Sequence, residues 1–226
     1  MPALTMQAAG WFGKLAFLGD FASRRLSAEW VQSCDQWLSG CMESAARQLG
    51  SGFLPAYLHA PVWRFACGPG VMDEQWWFGV LMASCDKVGR YFPIVVAQPR
   101  QHAPDDRFGL DHLELWWNHA AHAALATLGD AATLEAFEAA LHDAPPWPVA
   151  MRGARWADES DGVRYAVAPT ATLGEIAHGL AAAALQQRLR GRSLWWPMHG
   201  DGSGGACVLV DRLPAPAIFA AMLNPA

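Results

Sequence analysis

Three strand-like runs, Pro61 to Cys67, Gln75 to Ala83 and Arg90 to Gln98, follow one another across turn-sized links such as Gly68-Pro69-Gly70. Links this short favour antiparallel neighbours, because a parallel pair needs a long crossover between its strands. Pro93 falls inside the third run and has no N–H for a ladder, so the regular strand is expected to begin just after it. A closing hairpin is expected from Leu194 to Trp196 and Ala206 to Arg212 around a glycine loop.

Amphipathic helices flank these strands. Ser27 is a good N-cap with Glu29 in the first turn, and apolar residues then recur at Trp30, Cys34, Trp37, Cys41, Met42, Ala45 and Leu49 before Gly50 stops the pattern. That period predicts a helix of about six turns. A second helix is expected over Leu113 to Leu128, after a polar break from Pro99 to Asp111, and a shorter one over Thr133 to His142. Thr172 and Glu175 form a T-x-x-E capping box that opens a further helix, with Leu173, Ile176, Leu180, Ala184 and Leu189 expected to point inward. A short helix over Ala215 to Leu223 finishes the pattern. The stretch from Asp143 to Gly162 has no clear period and is long for a loop, so it either hides a strand near Val149 to Arg152 or is mobile.

Strands alternating with amphipathic helices argue for an α/β fold with helices on both faces of one sheet. The expectation is a single three-layer α-β-α domain over residues 1–226, with a mixed, largely antiparallel central sheet.

Composition narrows the function. Apolar residues make up 53% of the chain and charged residues 16%, against roughly 25% charged in an average soluble domain. A large core accounts for that surplus, and an interface could share in it. Twelve tryptophans fit either place, since indole is enriched both in cores and where proteins touch. The net charge of −5 and the absence of a basic run longer than Arg24-Arg25 argue against nucleic-acid binding. Five scattered cysteines with no CxxC pair indicate neither a zinc site nor a disulfide framework, and fit reduced thiols in the cytoplasm. The opening residues carry no basic signal region, and the longest apolar stretch, Trp76 to Cys85, is about half of the roughly 20 residues a membrane helix needs. Neither secretion by the general route nor membrane insertion is expected.

Few constellations suggest chemistry. Gly200, Gly202 and Gly205 satisfy G-x-G-x-x-G, yet the loop leads into a strand-like segment where a dinucleotide site needs a helix. His112, His119 and His122 cluster on one predicted helix without the glutamate of H-E-x-x-H, which reads as a half-solvated face. No catalytic residue, metal site or cofactor is therefore assigned. The group Ser84, Asp86, Lys87 and Arg90 has two readings of equal weight. Either Lys87 and Arg90 pair with Asp86 or present a guanidinium to an anion, or Asp86 caps a structural turn in which Gly89 takes an unusual backbone angle. Asp20 beside Arg24 and Arg25 allows a similar choice.

The blocks GWFGKLAFLGDF (10–21) with RRL, PVWRFACGPGV (61–71), WWFGVLMASCDKVGRYFPI (76–94) and GRSLWW (191–196) together resemble the TagF/ImpM family of type VI secretion accessory proteins. Ala16 and Ala83 stand where the family pattern has prolines. The resemblance implies a compact three-layer α/β fold and a cytoplasmic post-translational regulator, typically a repressor, of secretion-system assembly. It implies as partner the forkhead-associated scaffold protein Fha, and it supplies no catalytic residues. The expected site is then a protein-binding surface with Trp11, Asp20, Asp86 and Arg90 as its candidates. Two other readings stay open: an enzyme or small-ligand sensor built from the 200–205 loop with Asp86 and Arg90, and a structural subunit of the secretion apparatus.

Overall fold

The computed structural model describes residues 8–147, 156–159, 162–165, 169–198 and 206–223. Its main sheet has seven strands: β1 (Gly10–Gly13), β2 (Ala22–Arg24), β3 (Val62–Cys67), β4 (Trp76–Met82), β5 (Ile94–Arg100), β8 (Arg192–Met198) and β9 (Val208–Asp211). They run in the order β2-β1-β5-β4-β3-β8-β9, and every pairing in this sheet is antiparallel. The expected mixed character is therefore absent from the described sheet. β6 (Trp156–Glu159) and β7 (Gly162–Tyr165) form a separate two-stranded hairpin, where the sequence pattern had no readable period.

Helices α1 (Ala28–Leu49), α2 (Phe53–Leu58) and α6 (Pro216–Leu223) cover one face of the sheet, and α3 (Arg107–Ala126) and α4 (Leu134–His142) cover the other. β4 shows why the strands read as unbroken apolar runs. Trp76, Phe78, Val80 and Met82 enter the core under α3 and α4, while Trp77 and Leu81 enter the core under α1 and α6. A strand buried on both faces has no polar side to alternate with. Among the described residues nine tryptophans are buried, and none is among the exposed large apolar side chains. The indole surplus thus serves the two cores.

Caps set the helix ends much as their residues predict. The Ser27 hydroxyl accepts the Trp30 N–H at 3.2 Å, and Thr172 and Glu175 close the capping box of α5 (Leu173–Arg188). α3 starts six residues earlier than its apolar period suggested, because Asp106 caps it by accepting the Gly109 N–H at 2.7 Å. Its first turn, Arg107 to Leu110, holds a charged residue and a glycine, and its Phe108 is exposed, so the turn does not extend the apolar stripe that begins at Leu113. β1 is short, ending at Gly13. At Gly13 the backbone turns with φ +138°, and a Cβ there would lie 2.2 Å from the Pro93 carbonyl oxygen.

β5 begins after Pro93, as its missing donor required, but runs on through Pro99 to Arg100. β1 pairs only as far as Ala97, so Pro99 lies beyond the end of that neighbour and one side of the strand has no ladder to interrupt. The inward face expected of α5 is overturned for Leu173, Leu180 and Ala184, whereas Leu189 is buried as expected and Ile176 is half-buried. Leu173 is 81% exposed, Leu180 and Ala184 are also exposed, and the buried positions are Ala182 on the helix and Leu189 at its end. The proposed strand at 149–152 and the glycine loop at 200–205 lie outside the described residues.

Candidate interaction site

Two sequence blocks far apart in the chain meet at one end of the sheet. Between β4 and β5 the chain makes a turn closed by a Cys85–Tyr91 bridge, with the Asp86 N–H donating to the Arg90 carbonyl at 3.1 Å and the Gly89 N–H to the Asp86 carbonyl at 2.9 Å. Gly89 takes φ +80°, which a side chain would resist. The loop after β1 is tied to this turn by the Lys87 N–H donating to the Leu18 carbonyl at 2.9 Å and the Ser84 hydroxyl donating to the Lys14 carbonyl at 2.8 Å. α2 joins through Tyr57. Its hydroxyl donates to the Ser84 carbonyl at 2.8 Å and accepts the Ser84 N–H at 2.9 Å.

Asp86 is the hub, and its side chain is 0% exposed. Oδ1 accepts the Val88 and Arg90 N–H groups at 3.1 and 2.9 Å, while Oδ2 accepts Arg90 Nε at 2.7 Å and lies 3.0 Å from Lys14 Nζ. Burial by itself would raise the carboxyl pKa. The Arg90 N–H, the Lys14 ammonium, the Arg90 guanidinium and the Val88 N–H together outweigh it and hold Asp86 well below the usual carboxylate range. Lys14 is buried as well, and its ammonium sits 4.9 Å from the centre of the Phe21 ring.

The two readings of this motif merge. Asp86 is the cap of a structural turn and the partner of Arg90 at once, whereas Lys87 is in no ion pair among the described residues. Arg90 is 57% exposed and also donates from Nη2 to the Gly19 carbonyl at 2.7 Å, with Asp20 at 4.0 Å. Asp20 is 83% exposed. Of the four candidates, only Asp20 and Arg90 thus reach the surface; Asp86 stands beneath Arg90 and sets its position. Trp11 is elsewhere, buried under α4 with its indole N–H donating to Glu138 Oε1 at 2.6 Å. In this arrangement it cannot serve as a partner anchor.

Lys14 and Tyr57 were not found by sequence reasoning. A single lysine inside the apolar block around it was the available signal for Lys14, since a cation there must either reach water or find a buried anion. Tyr57 gave none, because a tyrosine in a short apolar segment reads as core.

The geometry offers no ready reaction centre among the described residues. Ser84 and Tyr57 spend their hydroxyls on backbone groups. The three histidines of α3 do not converge: His112 and His122 bond the carbonyls of Phe108 and Asn118 four residues back, and His119 bonds Ala140 of the next segment. No set of three or more His, Cys, Asp or Glu side chains in the described residues is placed to hold a metal ion. A shallow groove beside Tyr57, lined by Ala60, Trp63, Phe219, Met222 and Leu223, lacks the convergent polar groups that orient a small ligand. Among the described residues no helix is long and apolar enough to cross a membrane.

Comparison with known proteins agrees with the blocks that meet here. No curated protein matches the chain. Among solved structures, the crystal structure of PA0076 from Pseudomonas aeruginosa PAO1 is similar, with a TM-score of 0.76 and 33% sequence identity over 96% of this chain and 94% of that one. The family profile described as TagF N-terminal domain, type VI secretion system-associated, matches residues 10–144, a span that holds β1, the Asp86 turn and both helices α3 and α4. This chain belongs to the TagF N-terminal domain family of type VI secretion system-associated proteins.

Proposed function

We propose that this protein is a cytoplasmic regulator of type VI secretion assembly, a repressor that acts after translation by binding the forkhead-associated scaffold protein Fha, and that it is not an enzyme. The observation that carries this reading is the family match over residues 10–144, which includes the whole of the surface built on Asp86. The geometry there suits recognition better than catalysis. Its buried charges are spent on one another, and what reaches solvent is an ordered loop with an arginine held in place from below. Arginine fixed in this way loses little freedom on contact, which favours binding.

The test is a pull-down of the full chain from native cytoplasm, with the kinase pathway active and inactive, followed by calorimetry with purified Fha. Saturable binding to Fha, together with increased secretion when the gene is deleted, is the expected result. Loss of secretion on deletion, with stable cofractionation on the assembled baseplate, would make the protein a structural subunit instead.

A further inference from the structure

We infer that the rim formed by Phe21, Leu58, Lys87, Val88, Arg90 and Tyr91 docks an acidic, apolar-faced segment of a partner protein. This inference rests on the regulatory reading above and assigns it a surface. The apolar members are exposed without being loose. Val88 is 65% exposed at the tip of the Asp86 turn. Phe21 packs edge-on against Phe92 at 4.8 Å, and Tyr91 packs edge-on against Tyr57 of α2 at 5.9 Å, yet both keep a large part of their rings in solvent. Leu58 follows Tyr57 on α2 and is more than half exposed. These side chains stand on three segments bound to each other by Lys87 to Leu18, Arg90 to Gly19 and Tyr57 to Ser84.

Charge selects the occupant. At the rim two basic side chains, Lys87 and Arg90, face solvent beside one exposed acid, Asp20, while Lys14 is spent on Asp86 and Arg24 and Arg25 on Glu138, in a chain whose net charge is −5. Asp86 is sealed inside and already engaged. Lys87 is exposed with no ionic partner among the described residues, so this end of an acidic protein presents cations to solvent. A partner segment with carboxylates beside apolar residues complements it, and like charge would be repelled. A second copy fits poorly, because a two-fold contact through this rim would set Lys87 and Arg90 against their own counterparts. A membrane also fits poorly, since lipid recognition by charge uses clusters of about four to eight basic residues.

The experiment measures binding of the full chain to purified Fha by calorimetry at low and high salt, with Lys87→Glu and Val88→Asp as variants. Both sites are exposed and neither side chain takes part in the Asp86 network, so circular dichroism and melting should match the parent. Each variant is expected to weaken binding at least about tenfold, an effect of about 1.4 kcal/mol; parent binding should weaken as salt rises; and a photo-crosslinker at position 91 should map to an acidic stretch of the scaffold. Parent-like affinity in both variants would overturn the rim while leaving the regulatory reading intact. No binding of the parent chain would sink that reading and this inference with it. Sedimentation with phosphatidylglycerol vesicles, or a dimer that Lys87→Glu dissociates, would assign the rim to a membrane or to a second copy and equally overturn it.

Discussion

Two carboxylates clamp β1, and they do so by different routes. Asp86 gathers two N–H groups and one guanidinium from within four residues of itself, and only Lys14 comes from afar. Glu138 on α4 gathers everything from a distance: the Trp11 indole at 2.6 Å, Arg25 Nη1 at 2.5 Å and, more loosely, Arg24 Nε at 3.9 Å. Arg25 takes a left-handed backbone angle, φ 58°, and its Nε also donates to the Ala9 carbonyl. Asp86 therefore builds a turn and pins the strand to it. Glu138 builds nothing locally and fastens a helix to the sheet edge. A carboxylate with local donors is a folding instruction written in neighbouring residues, while one with remote donors is a product of the fold.

Breaking the first clamp should cost most. Asp86→Ala removes the acceptor for four donors and leaves Lys14 buried without an anion, so it is expected to give the largest fall in melting temperature of any substitution in either clamp. A melt no lower than that of a Glu138 variant would reverse the ranking. Glu138→Gln loses charge-assisted bonds and is expected to cost about 2 kcal/mol in urea unfolding, with α4 exchanging its amides faster than α1.

The acid limb of stability separates the clamps further. Hydrogen bonds from Arg25 and Trp11 hold Glu138 below its ordinary value of 4.5 in spite of its burial, and Asp86 is held below its ordinary 3.8. A carboxyl depressed in the folded state stabilises fully above its unfolded pKa and loses that contribution as pH falls through its folded one. Stability should therefore be level above about pH 5 and fall below it; Glu138→Gln should remove the part of that fall that begins near 4.5, and the part that begins near 3.8, from Asp86, should remain. Trp11→Phe keeps the ring in the core and drops one bond, for about 1 kcal/mol. Arg24→Ala touches an exposed ion pair and should stay within about 0.5 kcal/mol of the parent, which would assign the second clamp to Arg25.

The same division between local and remote governs what could be read in advance. The caps at Ser27 and Thr172, the stop at Gly50 and the strand start after Pro93 all depend on groups within a few residues and were legible, and the turn at Asp86, equally local, was one of the two readings its residues allowed. The start of α3 is not legible although its cap is local, because Asp106 stands ahead of the helix's apolar period. The inward face of α5 failed for a different reason. Leucines at helical spacing show that a face exists, but burial needs a neighbour, and among the described residues Leu173 has none to cover it. Trp11 was misplaced in the same way: composition cannot tell an indole buried under α4 from one offered to a partner.

By itself the sequence determined the caps at Ser27 and Thr172, the antiparallel meander of β3, β4 and β5 and, through its blocks, the family. Tertiary structure decided that Lys14 would be the buried counter-ion, that Trp11 would face Glu138, and that Arg90 and Asp20 would be the candidates left at the surface. The reason is reach. Backbone hydrogen bonds and steric limits act over a few residues and leave a pattern in the chain, whereas burial and ion pairing act through space and leave one only after the sheet has brought residues 14 and 86 together.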